Sequence, residues 1–305
     1  MRKLIRIGTR ESQLAVWQAT RVKELLAQHG FDAELVFIKS EGDIDLVTPL
    51  YEMGVQGIFT RSLDTALLND KIDLAVHSMK DVPTQLAGGL VQSAVLKRAS
   101  YKDILVYKEN TDFLNDFQSA AVIATSSIRR KAQWLHRYPN HTIEVLRGNV
   151  NTRLQKVTES NWTGAIFAAA GLERINLRPK NSIELDWMLP APAQGAIMMV
   201  CREADDYCLQ ACSNFNDDVT ALCTKIERDF LRTLLGGCST PISALAELND
   251  NVIHFRGNIF SPDGKEKAEI ALDCPLDESG YNFGTIAAQQ ILNKGAHSIV
   301  ESLRR

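Results

Sequence analysis

The chain lacks the long apolar runs and the large charge of one sign that mark membrane proteins and nucleic-acid binders. No stretch approaches the ~18 apolar residues of a membrane span, and Met1 to Ile7 mixes charged with aliphatic side chains, unlike a signal peptide. The net charge is only −3 over 305 residues, so it recruits neither nucleic acid nor an anionic membrane. We therefore expect a cytoplasmic protein without a membrane or nucleic-acid partner. Nothing in the sequence demands an oligomer, so a monomer is expected.

Disulfide and metal motifs are missing as well. None of the six cysteines forms a C-x-x-C pair, and a chain of this length does not need disulfides. Cys208 and Cys212 are four residues apart and could share a helical face, but no histidine is near them in the sequence. We expect reduced thiols and no metal site.

Strand-like and helix-like segments alternate over the first two thirds of the chain. Leu4 to Ile7 and Ala33 to Ile38 are predicted strands, and between them a helix runs from Ser12, its N-cap, to His29. A helix over Phe59 to Leu68 follows, and the continuous apolar strands Ile72 to His77 and Leu90 to Leu96 predict a first sheet buried on both faces. A second set of segments predicts a second α/β domain. Its strands are Asp103 to Tyr107, Ala121 to Ala124, Thr142 to Leu146 and Gly164 to Ala170, with helices over Ile128 to His136 and Val150 to Glu159 between them.

The last third has a different pattern. Leu189 to Gly195 contains two prolines and a glycine and predicts a hinge, after which a strand over Ala196 to Cys201 rejoins the first domain. A helix from Asp217 to about Leu235 then precedes strands over Ile242 to Leu248, Val252 to Phe260 and Lys267 to Leu272 and a closing helix over Thr285 to Leu303. The predicted fold class is α/β: two α/β domains, residues 1–97 with 195–214 and residues 98–194, plus a small α+β domain, residues 215–305, with a three-stranded sheet.

Three predicted strand ends collect arginine and hydroxyl groups. They lie in Ile7 to Ser12, Ala124 to Arg130 and Leu146 to Arg153, where helix N-termini offer free amides to an anion. The side chains concerned are Arg10, Arg129, Arg130, Arg147, Arg153, Thr125, Ser126 and Ser127. Because neither a P-loop nor a G-x-G-x-x-G fingerprint occurs, a ligand with several carboxylates is favoured over a phosphate. The alternative is that the hydroxyls are ordinary N-caps and the arginines a solvated face.

A fourth strand end, Val76 to Pro83, carries Lys80 and Asp81. Lys80 could join the anion site, and a carboxylate among cations stays ionised and could stabilise a developing cation or relay a proton. The alternative is a turn with a surface ion pair. His77 is adjacent, but strand alternation points it into the core.

Cys238 follows an apolar-periodic stretch and the pair Gly236 and Gly237, and Pro241 prevents a new helix directly after it. A thiol on such a loop could carry a covalent group. The alternative is that it serves as a small buried apolar side chain.

The strings VHSMKDVP, ATSSIRR, LRGNVNTR, LPAPAQGA and LGGCSTPI occur in the order of the porphobilinogen deaminase family, also called hydroxymethylbilane synthases, and the chain resembles that family from Arg6 to its last helix. The resemblance implies three domains, of which the first two form a cleft like that of type II periplasmic binding proteins. It implies a dipyrromethane cofactor held by a thioether at Cys238. It also implies the stepwise head-to-tail addition of four porphobilinogen units with loss of ammonia, and hydrolysis to release hydroxymethylbilane, a step of tetrapyrrole and haem biosynthesis.

The resemblance also assigns site residues. Asp81 matches the catalytic carboxylate, and Lys80 beside it is taken as catalytic and carboxylate-binding. The cofactor-binding set is Cys238, Ser12, Lys80, Asp81, Thr125, Ser126, Ser127, Arg129, Arg130, Arg147 and Gly148, and the substrate-binding set is Arg10, Arg147, Arg153, Arg174, Phe59 and Gln194. Ala193 departs from the family, which commonly has glycine there, and Leu235 stands where glutamate is usual.

Two other classes of function remain open on the residues alone. A two-domain cleft with arginines at helix starts would also suit a non-catalytic binding protein for a dicarboxylate or oxyanion. Nucleic-acid binding is less favoured, because the arginines lie among acidic neighbours and the net charge is negative. Cys238 discriminates between the enzyme and the binding protein, since a binding protein has no need of it.

Overall fold

The computed structural model describes residues 3–39, 60–234, 240–276 and 282–304. Its strands are β1 (Ile5–Thr9), β2 (Ala33–Phe37), β3 (Leu74–Ser78), β4 (Leu90–Val95), β5 (Asp103–Tyr107), β6 (Val122–Ala124), β7 (Thr142–Glu144), β8 (Gly164–Ala168), β9 (Ser182–Glu184), β10 (Ile197–Arg202), β11 (Ile242–Asn249), β12 (Val252–Phe260) and β13 (Lys267–Pro275). Its α-helices are α1 (Gln13–Gln28), α2 (Arg61–Leu68), α3 (Ile128–Arg137), α4 (Val150–Glu159), α5 (Ala169–Glu173), α6 (Asp206–Ser213), α7 (Asp218–Leu234), α8 (Phe283–Ile291) and α9 (His297–Arg304).

The first sheet has the strand order β2-β1-β3-β10-β4. β1 pairs in parallel with β2 and β3, whereas β10 is antiparallel to both of its neighbours. Apolar side chains of α1 and α6 cover one face and those of α2 cover the other. The expectations that this sheet is buried on both faces and that the strand after the hinge rejoins it are therefore confirmed.

The second sheet repeats this layout, with the order β7-β6-β8-β5-β9. β6 pairs in parallel with β7 and β8, and β5 is antiparallel to β8 and β9. In both sheets, the strand that arrives from the other domain occupies the fourth position and runs antiparallel to both of its neighbours. Two α/β domains of matching topology are thus confirmed.

The third domain is an antiparallel meander, β11-β12-β13, with α7 and α8 packed on one face. The opposite face meets the second domain. There Gln133 of α3 donates to Ser243 Oγ at 3.0 Å and to Leu189 O at 2.9 Å, and His136 Nδ1 lies 2.8 Å from Gly264 O. The predicted three-stranded α+β domain is confirmed.

The predicted closing helix over Thr285 to Leu303 is wrong as one continuous helix. α8 ends at Ile291, a short π-helical stretch over Leu292–Ala296 follows, and α9 begins at His297. Gly295 adopts φ 106° inside that stretch, a conformation that glycine reaches without the steric cost other residues incur. The apolar periodicity continues through the break, so it predicted a single helix.

Within the described ranges, no helix is both long enough and apolar enough to cross a membrane.

Candidate active site

Several of the arginine and hydroxyl residues singled out from the sequence begin helices in the structure. The side chains of Ser12, Ser127 and Asn149 accept hydrogen bonds from the backbone as N-caps of α1, α3 and α4. Ser126 Oγ donates to Leu146 O at 2.7 Å, and Thr125 Oγ1 accepts from the Ser127 amide at 3.2 Å. The N-cap role is thus present for Ser12 and Ser127, and a ligand role for these hydroxyls stays a prediction.

Arg129 and Arg130 converge on Asp103, which begins β5 and is fully buried. Arg129 Nη2 lies 2.7 Å from Asp103 Oδ2, and Arg130 places Nη2 at 2.7 Å and Nε at 3.0 Å from Oδ1. Burial opposes ionisation of Asp103, but the charges of Arg129 and Arg130 outweigh it and hold the pKa of the carboxyl below its usual range. Both arginines are therefore anchored by a carboxylate, and their contact with a ligand stays a prediction.

Gln194 connects this buried cluster to the first domain. Its Nε2 donates to Asp103 Oδ1 at 2.9 Å and to Tyr101 O at 2.8 Å. Its Oε1 accepts from Lys80 Nζ at 3.3 Å. Gln194 is fully buried, so it acts in the structure as a bridge between Lys80 and Asp103.

Lys80 and Asp81 lie on one turn of 3₁₀-helix, Met79–Asp81, directly after β3. Burial lowers the pKa of Lys80 to about 8; the Asp81 carboxylate acts in the opposite direction, and the cations of Arg130 and Arg129 lower it further. Asp81 itself is exposed. An ammonium of lowered pKa and an accessible carboxylate thus share one turn at the end of a buried strand.

Charged residues of both domains act on Arg153. Burial lowers the pKa of Arg153 to about 10, and the nearby cations Arg130, Arg147 and Arg10 lower it further, while Asp81 opposes them. Its Nε donates to Gly148 O at 2.7 Å, and Gly148 has φ 112° at the turn that begins α4. The first domain supplies Arg10 and Asp81 to this group, and the second supplies the other arginines.

Arg174 is placed differently from the other arginines. Its Nη2 donates to Gly195 O at 2.7 Å, and its guanidinium lies 5.8 Å from the centre of the Trp17 ring. Burial lowers its pKa to about 10, and Glu173 acts in the opposite direction. Arg174 therefore joins α1 of the first domain to the hinge, and its predicted role in binding substrate is not tested by these contacts.

His77 is buried in β3, as strand alternation predicted. Burial lowers its pKa to about 4, and the charge of Arg10 lowers it further. Its Nε2 has no hydrogen-bond partner among the described residues. The imidazole is therefore neutral near pH 7 and adds no charge to the site.

Cys238 and Phe59 lie outside the described residues, and so do Gly236 and Leu235. α7 ends at Leu234, four positions before Cys238. The other five cysteines are buried free thiols; burial raises the pKa of Cys212 and that of Cys223 to about 12. In the part of the chain that the structure covers, no group of three or more His, Cys, Asp or Glu side chains is arranged to hold a metal ion.

Sequence reasoning missed Asp103 as the anchor of the two arginines and Gln194 as a bridge to Lys80. A charged residue at the head of an apolar strand was the available signal for Asp103, but its partners are 26 and 27 residues away. No local pattern predicts that pairing.

The donor set fits a molecule that carries several carboxylates. Arg10, Arg130, Arg147 and Arg153 lie close enough for their charges to depress one pKa, and Asp81 is the carboxylate that opposes them. Guanidinium groups bind carboxylates in bidentate fashion. Carboxylates of a ligand would reduce the repulsion among these cations. The site therefore suits a cofactor or substrate that carries several carboxylates.

Comparisons with known proteins agree with this geometry. The family described as "Porphobilinogen deaminase, dipyromethane cofactor binding domain" matches residues 5–210, and "Porphobilinogen deaminase, C-terminal domain" matches residues 221–293. The chain is 38% identical to a porphobilinogen deaminase of Chlorobium phaeobacteroides (strain BS1), covering 100% of this chain and 99% of the relative. It is 40% identical to that of Syntrophotalea carbinolica, covering 98% of this chain and 96% of the relative.

Among solved structures, partial similarity extends to solute-binding proteins. An ancestral cationic amino acid solute binding protein overlaps with a TM-score of 0.41 at 15% identity, covering 70% of this chain and 87% of that one. The methionine binding protein MetQ overlaps with a TM-score of 0.43 at 16% identity, covering 69% of this chain and 89% of that one.

Proposed function

The chain belongs to the porphobilinogen deaminase family, and from that premise we propose which of its residues carry out the reaction. The protein is a transferase of tetrapyrrole biosynthesis with a dipyrromethane-binding domain. The proposal concerns Asp81, Lys80 and the arginines of the cleft. It rests above all on the charges of Arg10, Arg130, Arg147 and Asp81, all of which lie near enough to Arg153 to affect its pKa.

Asp81 is assigned the stabilisation of positive charge on the substrate. Loss of ammonia from porphobilinogen leaves a methylene-pyrrole cation, and a fixed carboxylate beside the pyrrole N–H groups lowers the barrier to forming it. Asp81 is exposed at the end of a buried strand, so a substrate can reach it.

Lys80 and the arginines are assigned the binding of carboxylates. Each porphobilinogen has an acetate and a propionate, so a growing chain presents carboxylates at regular spacing, and cations from both domains match that spacing. Each charge-assisted hydrogen bond contributes about 1.5–3 kcal/mol. Arg10, Arg147, Arg153 and Lys80 are proposed as direct ligands. Arg129 and Arg130, which Asp103 anchors, contribute fixed charge and remain candidates for contact with the cofactor.

Dipyrromethane, when bound, supplies the pyrrole end to which substrate units are added. We assign its thioether to Cys238. Its carboxylates are assigned to the remaining cofactor-binding residues predicted from the sequence, namely Ser12, Lys80, Thr125, Ser126, Ser127, Arg129, Arg130, Arg147 and Gly148. Phe59, Arg174 and Gln194 keep their predicted part in substrate binding, for which Gln194 has the support of its bond to Lys80.

The first experiment is the intact mass of the purified protein under denaturing conditions, followed by peptide mapping. An excess mass equal to dipyrromethane on the peptide that contains Cys238 supports the assignment. A mass that stays unmodified after incubation with porphobilinogen contradicts it and favours a binding protein that does not form a covalent adduct.

Substitution of Asp81 tests the catalytic assignment separately. Asp81→Ala is expected to keep an adduct at Cys238 and to lose most turnover of porphobilinogen. Asp112→Ala, which removes an exposed carboxylate of the second domain, is the control and should turn over normally. Normal turnover by Asp81→Ala would remove Asp81 from the chemistry.

We also propose a cytoplasmic monomer with domain limits at residues 97/98, 194/195 and 214/215. The five described cysteines are free thiols, which suits a reducing compartment. β4 ends at Val95, β5 begins at Asp103 and β10 begins at Ile197, which is consistent with these limits. Light scattering coupled to gel filtration tests the monomer, since a dimer would give twice the mass.

A further inference from the structure

Arg228 of α7 reaches from the third domain to the segment that carries Lys80 and Asp81. Its Nη1 donates to Val82 O at 2.9 Å and lies 3.4 Å from Met79 O. Its Nη2 donates to Pro83 O at 2.6 Å. One guanidinium thus contacts three backbone carbonyls that surround Asp81 in the sequence.

Other contacts also hold this segment. The 3₁₀-helix Met79–Asp81 is a single turn, closed by the bond from the Val82 amide to Met79 O at 3.1 Å. The Met79 amide bonds to Ala196 O at 3.0 Å, and the side chains of Met79 and Val82 are buried in the apolar core of the first domain. Asp81 is exposed, so packing of its own side chain does not fix it. The carbonyls of Val82 and Pro83, which follow it directly, are held by Arg228.

The helix that supplies Arg228 is itself firmly held. Glu227, the preceding residue, is fully buried and accepts hydrogen bonds from the amides of Ala193 at 2.6 Å and Ala246 at 2.8 Å. α7 is therefore tied to the hinge and to the third sheet at the same turn from which Arg228 extends. The helix ends at Leu234, six residues after Arg228. At a rise of about 1.5 Å per residue, its end lies less than two turns from Arg228.

We propose that Arg228 is a positioning residue that fixes Asp81 relative to helix α7. It acts through the backbone of residues 79–83 and does not touch substrate. Helix α7 of the third domain thereby contributes to the placement of a carboxylate of the first domain. The inference rests on the proposed role of Asp81.

The chemistry of the side chain explains why arginine is required. A planar guanidinium presents five donors in a fixed fork and can serve several carbonyls at once, whereas an ammonium is a point donor on a flexible stem. Lysine at this position would retain the charge but not the fork. The pair Arg228→Lys and Arg228→Gln therefore separates the contribution of charge from that of geometry.

The test compares Arg228→Gln and Arg228→Lys with Arg232→Gln in the full-length protein. Arg232 is one turn later on α7, and its described ion pair is with Asp229 of the same helix at 2.9 Å. Four properties are measured for each variant: the thermal unfolding midpoint, the intact mass, kcat and KM for porphobilinogen, and hydrogen exchange of the Val82 amide.

We expect Arg228→Gln to keep its covalent adduct and to speed exchange of the Val82 amide at least tenfold. We expect kcat to fall ten- to a hundredfold while KM changes less than threefold, because the carboxylate is displaced and the carboxylate-binding arginines are untouched. Arg228→Lys should fall between Arg228→Gln and the wild type, and Arg232→Gln should match the wild type in all four.

Unchanged exchange at Val82 in Arg228→Gln would overturn the positioning role, and this readout does not depend on the assigned activity. A loss of kcat that equals the loss of adduct or of folded protein would also overturn it, because Arg228 would then act only on folding or cofactor loading. A wild-type protein that neither carries an adduct nor consumes porphobilinogen would instead refute the proposed function. The exchange rate of the Val82 amide would still decide whether Arg228 positions residues 79–83.

Discussion

Arg98 and Glu227 form a bidentate ion pair, with guanidinium-to-carboxylate distances of 2.5 and 3.1 Å. The pair joins the start of the second domain to α7 of the third, and Arg98 Nε also donates to Gln194 O in the hinge at 2.8 Å. Each carboxylate oxygen of Glu227 accepts a further backbone amide, from Ala246 and from Ala193. Both ends of the second domain and the third domain therefore meet at one buried carboxylate.

Glu227→Gln is expected to lower the free energy of unfolding by about 3–5 kcal/mol. Both oxygens of Glu227 accept two donors each, and an amide NH₂ would turn one of those positions into a donor that faces two others. Urea unfolding measures the change. Glu24→Gln, at an exposed ion pair with Arg21, is the control and should shift by less than about 1 kcal/mol. Equal changes in the free energy of unfolding of the two variants would mean that the bonds of Glu227 do not stabilise the contact between domains.

The pKa of Lys80 predicts that substrate binding weakens above about pH 8. Burial lowers that pKa to about 8, so the ammonium that would bind a carboxylate loses its proton as the pH rises. KM for porphobilinogen, measured from pH 6.5 to 9.5, should rise through this range. Lys80→Arg keeps its charge throughout and should give a flatter profile. Identical profiles for the two proteins would exclude Lys80 as the titrating group.

The lowered pKa of Lys80 also predicts that the free energy of unfolding increases with pH, whereas substrate binding weakens. The unfolded chain binds the Lys80 proton up to its ordinary pKa of 10.5, whereas the folded chain loses it near 8. Between these values the unfolded state holds more protons, so stability from Lys80 rises with pH. Urea unfolding of wild type and Lys80→Met at pH 7 and 10 should show the difference between them shift in favour of the wild type at pH 10.

Arg153→Ala is expected to raise KM for porphobilinogen about 10- to 100-fold, the equivalent of one charge-assisted interaction of about 1.5–3 kcal/mol. The half-buried guanidinium is close to other cations whose charge a bound carboxylate would balance. Arg178→Ala, whose side chain pairs with Glu173 on the surface, is the matched control. A KM within twofold of the wild type for Arg153→Ala would place Arg153 outside the binding site.

Gly284→Ala is expected to destabilise the third domain. A Cβ at Gly284 would lie 2.0 Å from Ile226 O in α7, so α8 would have to move away from the helix it packs against. Overpacking of this kind costs about 1–3 kcal/mol, occasionally more. Differential scanning calorimetry should show a lower unfolding temperature, and Gly88→Ala, which has nothing within 4 Å of its Cβ, should not. A wild-type midpoint for Gly284→Ala would contradict the close approach of the two helices.

Much of the fold could be predicted because its elements are strongly patterned. The bounds of β5, α4 and β12 agree with the sequence to the residue, since each is a periodic or continuous apolar segment between turn residues. β9 escaped prediction because three residues at a sheet edge carry too little periodicity. The break at Gly295 escaped because its cause is a backbone angle and not a change in hydrophobic pattern.

The site was predictable in composition but not in connection. The arginines at strand ends were visible as motifs, whereas the partners of Arg129, Arg130 and Arg228 come from strands or loops far away in the sequence. A helix face predicts which residues are exposed together, not which carbonyls of another domain they meet. Long-range pairings of this kind depend on the tertiary fold.

The second domain is inserted into the first, since the chain leaves the first sheet after β4 and returns to it at β10. Its two connecting segments are joined by the bond from Arg98 Nε to Gln194 O. Two adjacent connections restrict the rotation of one domain against another more than a single connection does. Any rotation of one domain against the other therefore has to bend two adjacent segments, and Glu227 of α7 binds a residue of each, Arg98 and Ala193.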